Sequence, residues 1–231
     1  MITLCTKKTS VLFFIIAFIC VSASAQEDLR MLINPAVNIK VKNDTPWSYK
    51  FGVANREVIY RNNQFDPAVR FLEFSHFTSR EVGLYGKLSA GVRYRFIEMF
   101  PEGFHNELRF IEEYTHSKKV GVYKISHRFR LAQRFKSITV YRGRYRVAVE
   151  FPLNGLRTDN RELSMEINTE TVWEMANNFR PTLGQRFTTA FDYNFSEAVK
   201  VNFGLEYRYR NYTGRFPYTQ LFFLSGLSIT L

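Results

Sequence analysis

Cysteine is almost absent. Of 231 residues only Cys5 and Cys20 are cysteines, and both lie in the first twenty. Beyond them no disulfide, thiolate-ligated metal centre or thiol nucleophile can form. Aspartate is sparse too: after residue 25 it occurs at Asp28, Asp44, Asp66, Asp159 and Asp192, no two of them close in sequence. The histidines, His76, His105, His116 and His127, lack metal-ligand spacing. No H-E-x-x-H, G-x-S-x-G or phosphate loop occurs. His105 near Glu107 is the one His–acid pairing of note. His76 follows Ser75 in a poorly patterned segment, His116 falls in an expected turn, and His127 falls on an apolar face. No enzyme, cofactor or metal site is expected. Long hydrophobic runs are missing as well: past residue 25 none approaches the ~20 residues of a membrane helix. Nor is there a sustained 3.6-residue rhythm.

Residues 1–25 read as a secretory signal peptide. Lys7 and Lys8 precede an apolar run from Val11 to Val21, and Ala23-Ser24-Ala25 forms an A-x-A site before Gln26. Cys20 is not a lipoprotein site, because Ile19 precedes it where a small residue is needed. Acidic residues are too few to balance the basic ones, leaving a net charge of +11. Such a charge first suggests nucleic acid, but export removes that partner. With 45% hydrophobic and 23% charged residues the chain is not a disordered polycation, and its length suits one domain.

What the chain does have is alternation of period two, the geometry of a strand. In 121–135, Tyr123, Ile125, Phe129, Leu131 and Phe135 share one face, and Lys124, Ser126, Arg128, Arg130 and Arg134 the other. In 138–151, Tyr141, Tyr145, Val147 and Val149 oppose Arg142, Arg144, Arg146 and Glu150. In 162–174, Leu163, Met165, Ile167 and Trp173 oppose Glu162, Glu166, Glu170 and Glu174. Segments 186–195 and 199–210 follow the same rule, the latter placing Glu206, Arg208 and Arg210 together. Segments 47–54, 87–96 and 106–114 follow it less cleanly. Segment 69–77 is ambiguous, because Phe71 and Phe77 share a face with Glu73 and Ser75.

Alternation does not say which face is inside. A soluble sandwich or lipocalin-like barrel turns apolar residues inward, and a membrane barrel inverts this. Several strands of 10–15 residues suit a tilted bilayer crossing. Aromatics such as Trp47, Tyr49, Tyr94, Phe96, Tyr114, Tyr193, Phe195, Tyr207 and Tyr209 gather near strand ends on the apolar face, where interfacial girdles form. At the C-terminus Leu221, Phe223, Leu227, Ile229 and Leu231 alternate to the last residue, similar to the terminal signal read by the barrel-assembly machinery. Short connections near 43–46, 79–81, 116–118 and 196–198 alternate with looser ones at 61–67, 99–104, 176–183 and 211–217; 135–138 and 153–161 fit this poorly. The expected fold is all-β: a transmembrane antiparallel up-and-down barrel of about ten strands, within a range of ten to twelve, over residues 47–231. Segment 26–46 lies outside the wall or supplies extra strand.

Most charges then point into the lumen. Two inward sets on even-numbered residues require a hairpin whose pairs have an even sum. A sum of 274 sets Arg130 opposite Arg144 and Arg128 opposite Arg146. Like charges directly opposite are destabilising, so the glutamates of 162–174, with Glu107 and Glu113, are expected to bind them in an Arg–carboxylate network. That network braces a narrow lumen or, alternatively, forms an anion-preferring constriction.

The run His127-Arg128-Phe129-Arg130-Leu131-Ala132-Gln133-Arg134-Phe135, followed by Arg144-Tyr145-Arg146, resembles the exported bacterial family known as domain of unknown function 2490. The resemblance implies an outer-membrane barrel without an established activity. The family tends to carry an acidic residue where this chain has Ala132, which leaves the arginine cluster one carboxylate short and offers a place for a small anion. The expected role is structural or passive transport in a bacterial outer membrane, with membrane lipid or lipopolysaccharide and the barrel-assembly machinery as partners. The alternatives are a soluble exported β-sheet binding protein and, less favoured, an outer-membrane lipid-modifying enzyme.

Overall fold

The computed structural model describes residues 29–231 except 43, 62, 98–104, 156–159, 178 and 215. The expected signal peptide and the loose connection at 99–104 lie outside the described residues. The remainder forms strands β1 (Leu29–Lys42), β2 (Trp47–Arg61), β3 (Gln64–Val82), β4 (Gly86–Ile97), β5 (Glu107–Val120), β6 (Tyr123–Phe135), β7 (Val140–Pro152), β8 (Leu163–Ala176), β9 (Phe179–Asn194), β10 (Val199–Arg210) and β11 (Tyr218–Thr230). Each strand pairs with its chain neighbours, and β1 pairs with β11, so the sheet closes on itself. Closure gives every wall strand a bonded neighbour on both sides and leaves no edge. No helix long and apolar enough to cross a membrane occurs among the described residues, which says nothing about crossing by strands.

The alternation sorts the side chains by face. On β6, Phe129 and Leu131 are 55% and 62% exposed, while Ala132 between the arginines is buried. On β8, Ile167 and Trp173 face outward, and Asn168 and Glu170 are buried. Across the wall, large exposed apolar residues include Val53, Phe74, Val92, Phe110, Phe187, Phe203 and Phe223, whereas buried groups include Glu107, Arg109, Arg142, Arg186 and Arg208. The barrel is apolar outside and charged inside.

Two expectations are corrected. The wall has eleven strands rather than about ten, and it is mixed rather than wholly antiparallel. Residues Leu29–Lys42 form one continuous strand whose alternation runs through Pro35, and it pairs in parallel with β11 from Leu29↔Thr219 to Lys40↔Thr230. An antiparallel sheet closes only with an even strand number; one parallel ladder allows an odd one. Hydrogen bonds from Lys42 N to Leu231 O (2.9 Å) and from Leu231 N to Lys40 O (2.8 Å) extend the seam. As a result Leu29 and Leu231 lie at opposite rims.

The expected contrast between short and long connections does not hold. Both rims carry both kinds: two residues at 62–63, 121–122 and 177–178, and longer stretches at 98–106, 153–162 and 211–217. Much of 61–67 and 176–183 is strand. Pro67 and Pro181 signalled loops, but each sits where the ladder register shifts, so neither must donate a bond there. At 121–122 the two-residue turn needs Gly121 at φ 61°.

Candidate functional site: the lumen

The wall register sets the lumen chemistry. Arg128 lies opposite Arg146, and Arg130 opposite Arg144, the sum-274 register among the even sums that parity allows. Arg109 faces Arg93 on one side and Arg134 on the other, and Arg186 faces Arg208. Inward arginines thus meet one another across several ladders, and inward carboxylates are shared among them.

On the β5–β9 side the sharing is extensive. Glu170 accepts from Arg128 Nη2 at 2.6 Å and lies 3.1 Å from Arg186 and 3.6 Å from Arg144. Glu174 pairs with Arg142, lies 3.2 Å from Arg210 and 3.8 Å from Arg134. Glu107 is held by Arg109 and by Arg134, whose Nη2 donates at 2.8 Å. Glu113 pairs with Arg130 and lies 3.9 Å from Arg128. Glu166 lies 3.6 Å from Arg146 and accepts from Asn168 at 2.8 Å. Glu162 lies at the rim, just before β8 and beside Gly155. In the β6–β7 connection Lys136 is held below the ordinary lysine range by burial and, next, by Arg134.

On the opposite side the cations rest on aromatic rings. Arg95 and Arg56 lie 3.8 Å and 4.7 Å from the centre of the Phe71 ring. Arg208 and Arg56 lie 3.7 Å and 4.7 Å from that of Phe222. Arg93 and Lys50 cover Phe77. This settles segment 69–77: Phe71 and Phe77 turn inward with Glu73 and serve as platforms for cations, an arrangement favoured by the ring quadrupole. Glu73 also pairs with Arg93 and Arg95, and Glu206 with Arg208. Arg56 donates to Asn34 Oδ1 at 2.7 and 2.9 Å. Reading faces by hydropathy alone missed Arg56, Phe71, Phe77 and Phe222. The available signal was an aromatic sharing its face with an acid.

Phe77 also explains Ala132. Phe77 is opposite Gly91 on β4, and it packs with Ile111 and Ala132 in one buried cluster. The ring lies over Gly91, where a Cβ would come within 2.4 Å of it. Ala132 is therefore part of an apolar bridge across β3–β6, and its surroundings are the Phe77 ring and Ile111 rather than an anion pocket.

The histidines are dispersed. His127 is outward with Nδ1 2.8 Å from the Tyr145 hydroxyl. His76 is outward among Tyr49 and Phe51, its Nε2 3.1 Å from Thr78 Oγ1. His116 packs on Tyr85, and His105 lies exposed before β5. Glu107, two residues from His105, is engaged by arginines. Among the described residues no cluster of His, Cys, Asp or Glu could hold a metal ion.

At the rim formed by Leu29 and 211–217 the lumen widens into a cavity of about 250 Å³, lined by Glu174, Thr182, Arg186, Arg210, Asn211 and Tyr218 among others. This mouth and the packed centre below it are the two parts of the candidate site.

The matched sequence covers nearly all of this wall. The family described as Protein of unknown function (DUF2490) matches residues 33–219, from β1 into β11. The chain belongs to that family. No curated protein and no solved structure matches it. Membership in this family carries no activity with it, so the functional argument rests on the wall and the lumen.

Proposed function

We propose that this chain is a bacterial outer-membrane β-barrel, exported by the signal peptide at 1–25, whose role is structural rather than conductive. The observation that carries this is the inversion of the wall. An exposed belt of Phe, Leu, Val, Ile and Trp encircles a lumen of paired charges. In water such a belt would be far larger than the apolar patches soluble monomers tolerate. In lipid it is the expected outer surface, and a closed sheet satisfies its own backbone there. A soluble lipocalin-like binder needs the opposite arrangement.

The packed centre favours bracing over transport. Glu107, Arg109, Arg142 and Glu170 are all less than a tenth exposed, although they face the lumen. A wide aqueous pore would leave such groups wet. No enzymatic activity is proposed.

Fractionation of expressing cells tests the placement. The mature chain is expected in the outer-membrane fraction, with faster gel mobility unheated than boiled. Recovery in the soluble periplasm would end the proposal. Planar-bilayer recording tests the bracing: no stable channel events are expected, and sustained anion current would overturn it.

A further inference from the structure

We infer that the mouth of the lumen, at the rim carrying Leu29 and 211–217, is a binding site for a small hydroxylated anion of the sugar-phosphate type. The cavity of about 250 Å³ holds roughly eight waters' worth of volume, or one small solute. Two guanidiniums line it. Arg186 and Arg210 are 10% and 29% exposed, and among the described residues each makes one ion pair, with Glu170 and Glu174 respectively. A guanidinium has five N–H donors in a planar fork, so both keep donors for a ligand. The carboxylates do not neutralise this region: Glu174 serves Arg134, Arg142 and Arg210, and Glu170 serves Arg128, Arg144 and Arg186. A surplus of buried positive charge beside a cavity attracts an anion.

The rest of the lining accounts for the hydroxyls. Asn211 edges the cavity, its Nδ2 donating to Phe216 O at 3.2 Å and its Oδ1 turned onto Gly214. Its neighbours Thr182 and Tyr218 bring hydroxyl groups, and Glu174 brings a carboxylate acceptor. A bare anion uses only donors. A ligand with an anionic group and hydroxyls uses the guanidiniums and the acceptors at once, and such mixed lining favours polar orientation over simple ion capture. The same chemistry is offered by a free sugar phosphate and by the phosphorylated sugar headgroup of an outer-leaflet glycolipid.

Calorimetric titration of the full folded chain in detergent micelles tests the site, with glucose 6-phosphate, glucose and inorganic phosphate as probes. Glucose 6-phosphate is expected to bind tightest. Arg210→Gln is expected to weaken it about tenfold or more, the loss of one charge-assisted contact. Thr182→Val touches no ion pair and is expected to weaken it a few-fold, which keeps the test valid if Arg210→Gln does not fold. Lys124→Gln, at the opposite rim, is expected to change nothing. A second arm uses micelles doped with lipid A. Competition with glucose 6-phosphate identifies the headgroup as a source, and undiminished binding identifies the free solute; both support the site. No binding of glucose 6-phosphate up to ~10 mM, equal affinity for glucose or for inorganic phosphate, or equal affinity in folded Arg210→Gln and Thr182→Val variants would overturn it.

Discussion

The two sides of the lumen hold the same kind of charge by different means. Across β5–β9, guanidiniums are gathered by shared carboxylates: Glu107, Glu113, Glu170 and Glu174 each meet two or three arginines. Across β10, β11 and β1–β4, Arg56, Arg93, Arg95 and Arg208 lie over Phe71, Phe77 and Phe222, with Glu73 and Glu206 as the carboxylates. An ion pair is strong but exposes its partner when broken, because the remaining charge is buried and unmatched. A ring is a weaker partner, and its loss removes no formal charge from the lumen. The two sides should therefore fail differently.

The largest difference is expected at Glu170. Glu170→Ala leaves Arg128, Arg144 and Arg186 short of their common acceptor, and should destabilise the barrel by ~3–5 kcal/mol. Urea unfolding in lipid vesicles measures this, and a change below ~1 kcal/mol would mean that the pairing contributes little. Gly91→Ala comes next. Its Cβ would strike the Phe77 ring, and displacing that ring from Ile111 and Ala132 should cost ~1–3 kcal/mol. Combining it with Phe77→Leu should recover part of the loss, and strict additivity of the two changes would show that they do not meet. The smallest effect is expected at Phe222→Leu. This keeps apolar contact with Leu32 and Val58 but removes the ring beneath Arg56 and Arg208, at ~0.5–2 kcal/mol. A loss there as large as at Glu170 would erase the distinction between the sides.

The amount legible beforehand followed from which quantities have a period. Facing and the even parity of the β6–β7 pairing are consequences of period two, so they could be read from residue numbers, and the Arg128/Arg146 and Arg130/Arg144 register is one of those even sums. Strand direction has no period: the parallel closure of Leu29–Lys42 against Tyr218–Thr230 left no mark on alternation. Proline misled twice, at Pro67 and Pro181, because ladder irregularities accommodate it inside long strands. The lumen's carboxylate side was visible because its glutamates and arginines alternate with apolar residues. The aromatic side was not, because hydropathy left segment 69–77 ambiguous, with Phe71 and Phe77 on the face of Glu73, and gave no sign that Phe222 lies under arginines. Ala132 shows the same limit: beside Arg130 and Arg134 it looked like a missing acid, whereas its space belongs to Phe77, far nearer the N-terminus in sequence.

The central proposal is that the exposed belt of the wall lies in lipid. The chain has two tryptophans, Trp47 on β2 and Trp173 on β8, and both point outward at 41% and 47% exposure. Tryptophan fluorescence of the folded protein in vesicles of brominated phosphatidylcholine therefore reports on this surface directly. Strong quenching relative to unbrominated vesicles is predicted, and it should persist in Trp47→Phe and Trp173→Phe single-tryptophan variants. Water-exposed emission that brominated chains leave unquenched in both variants would contradict the account.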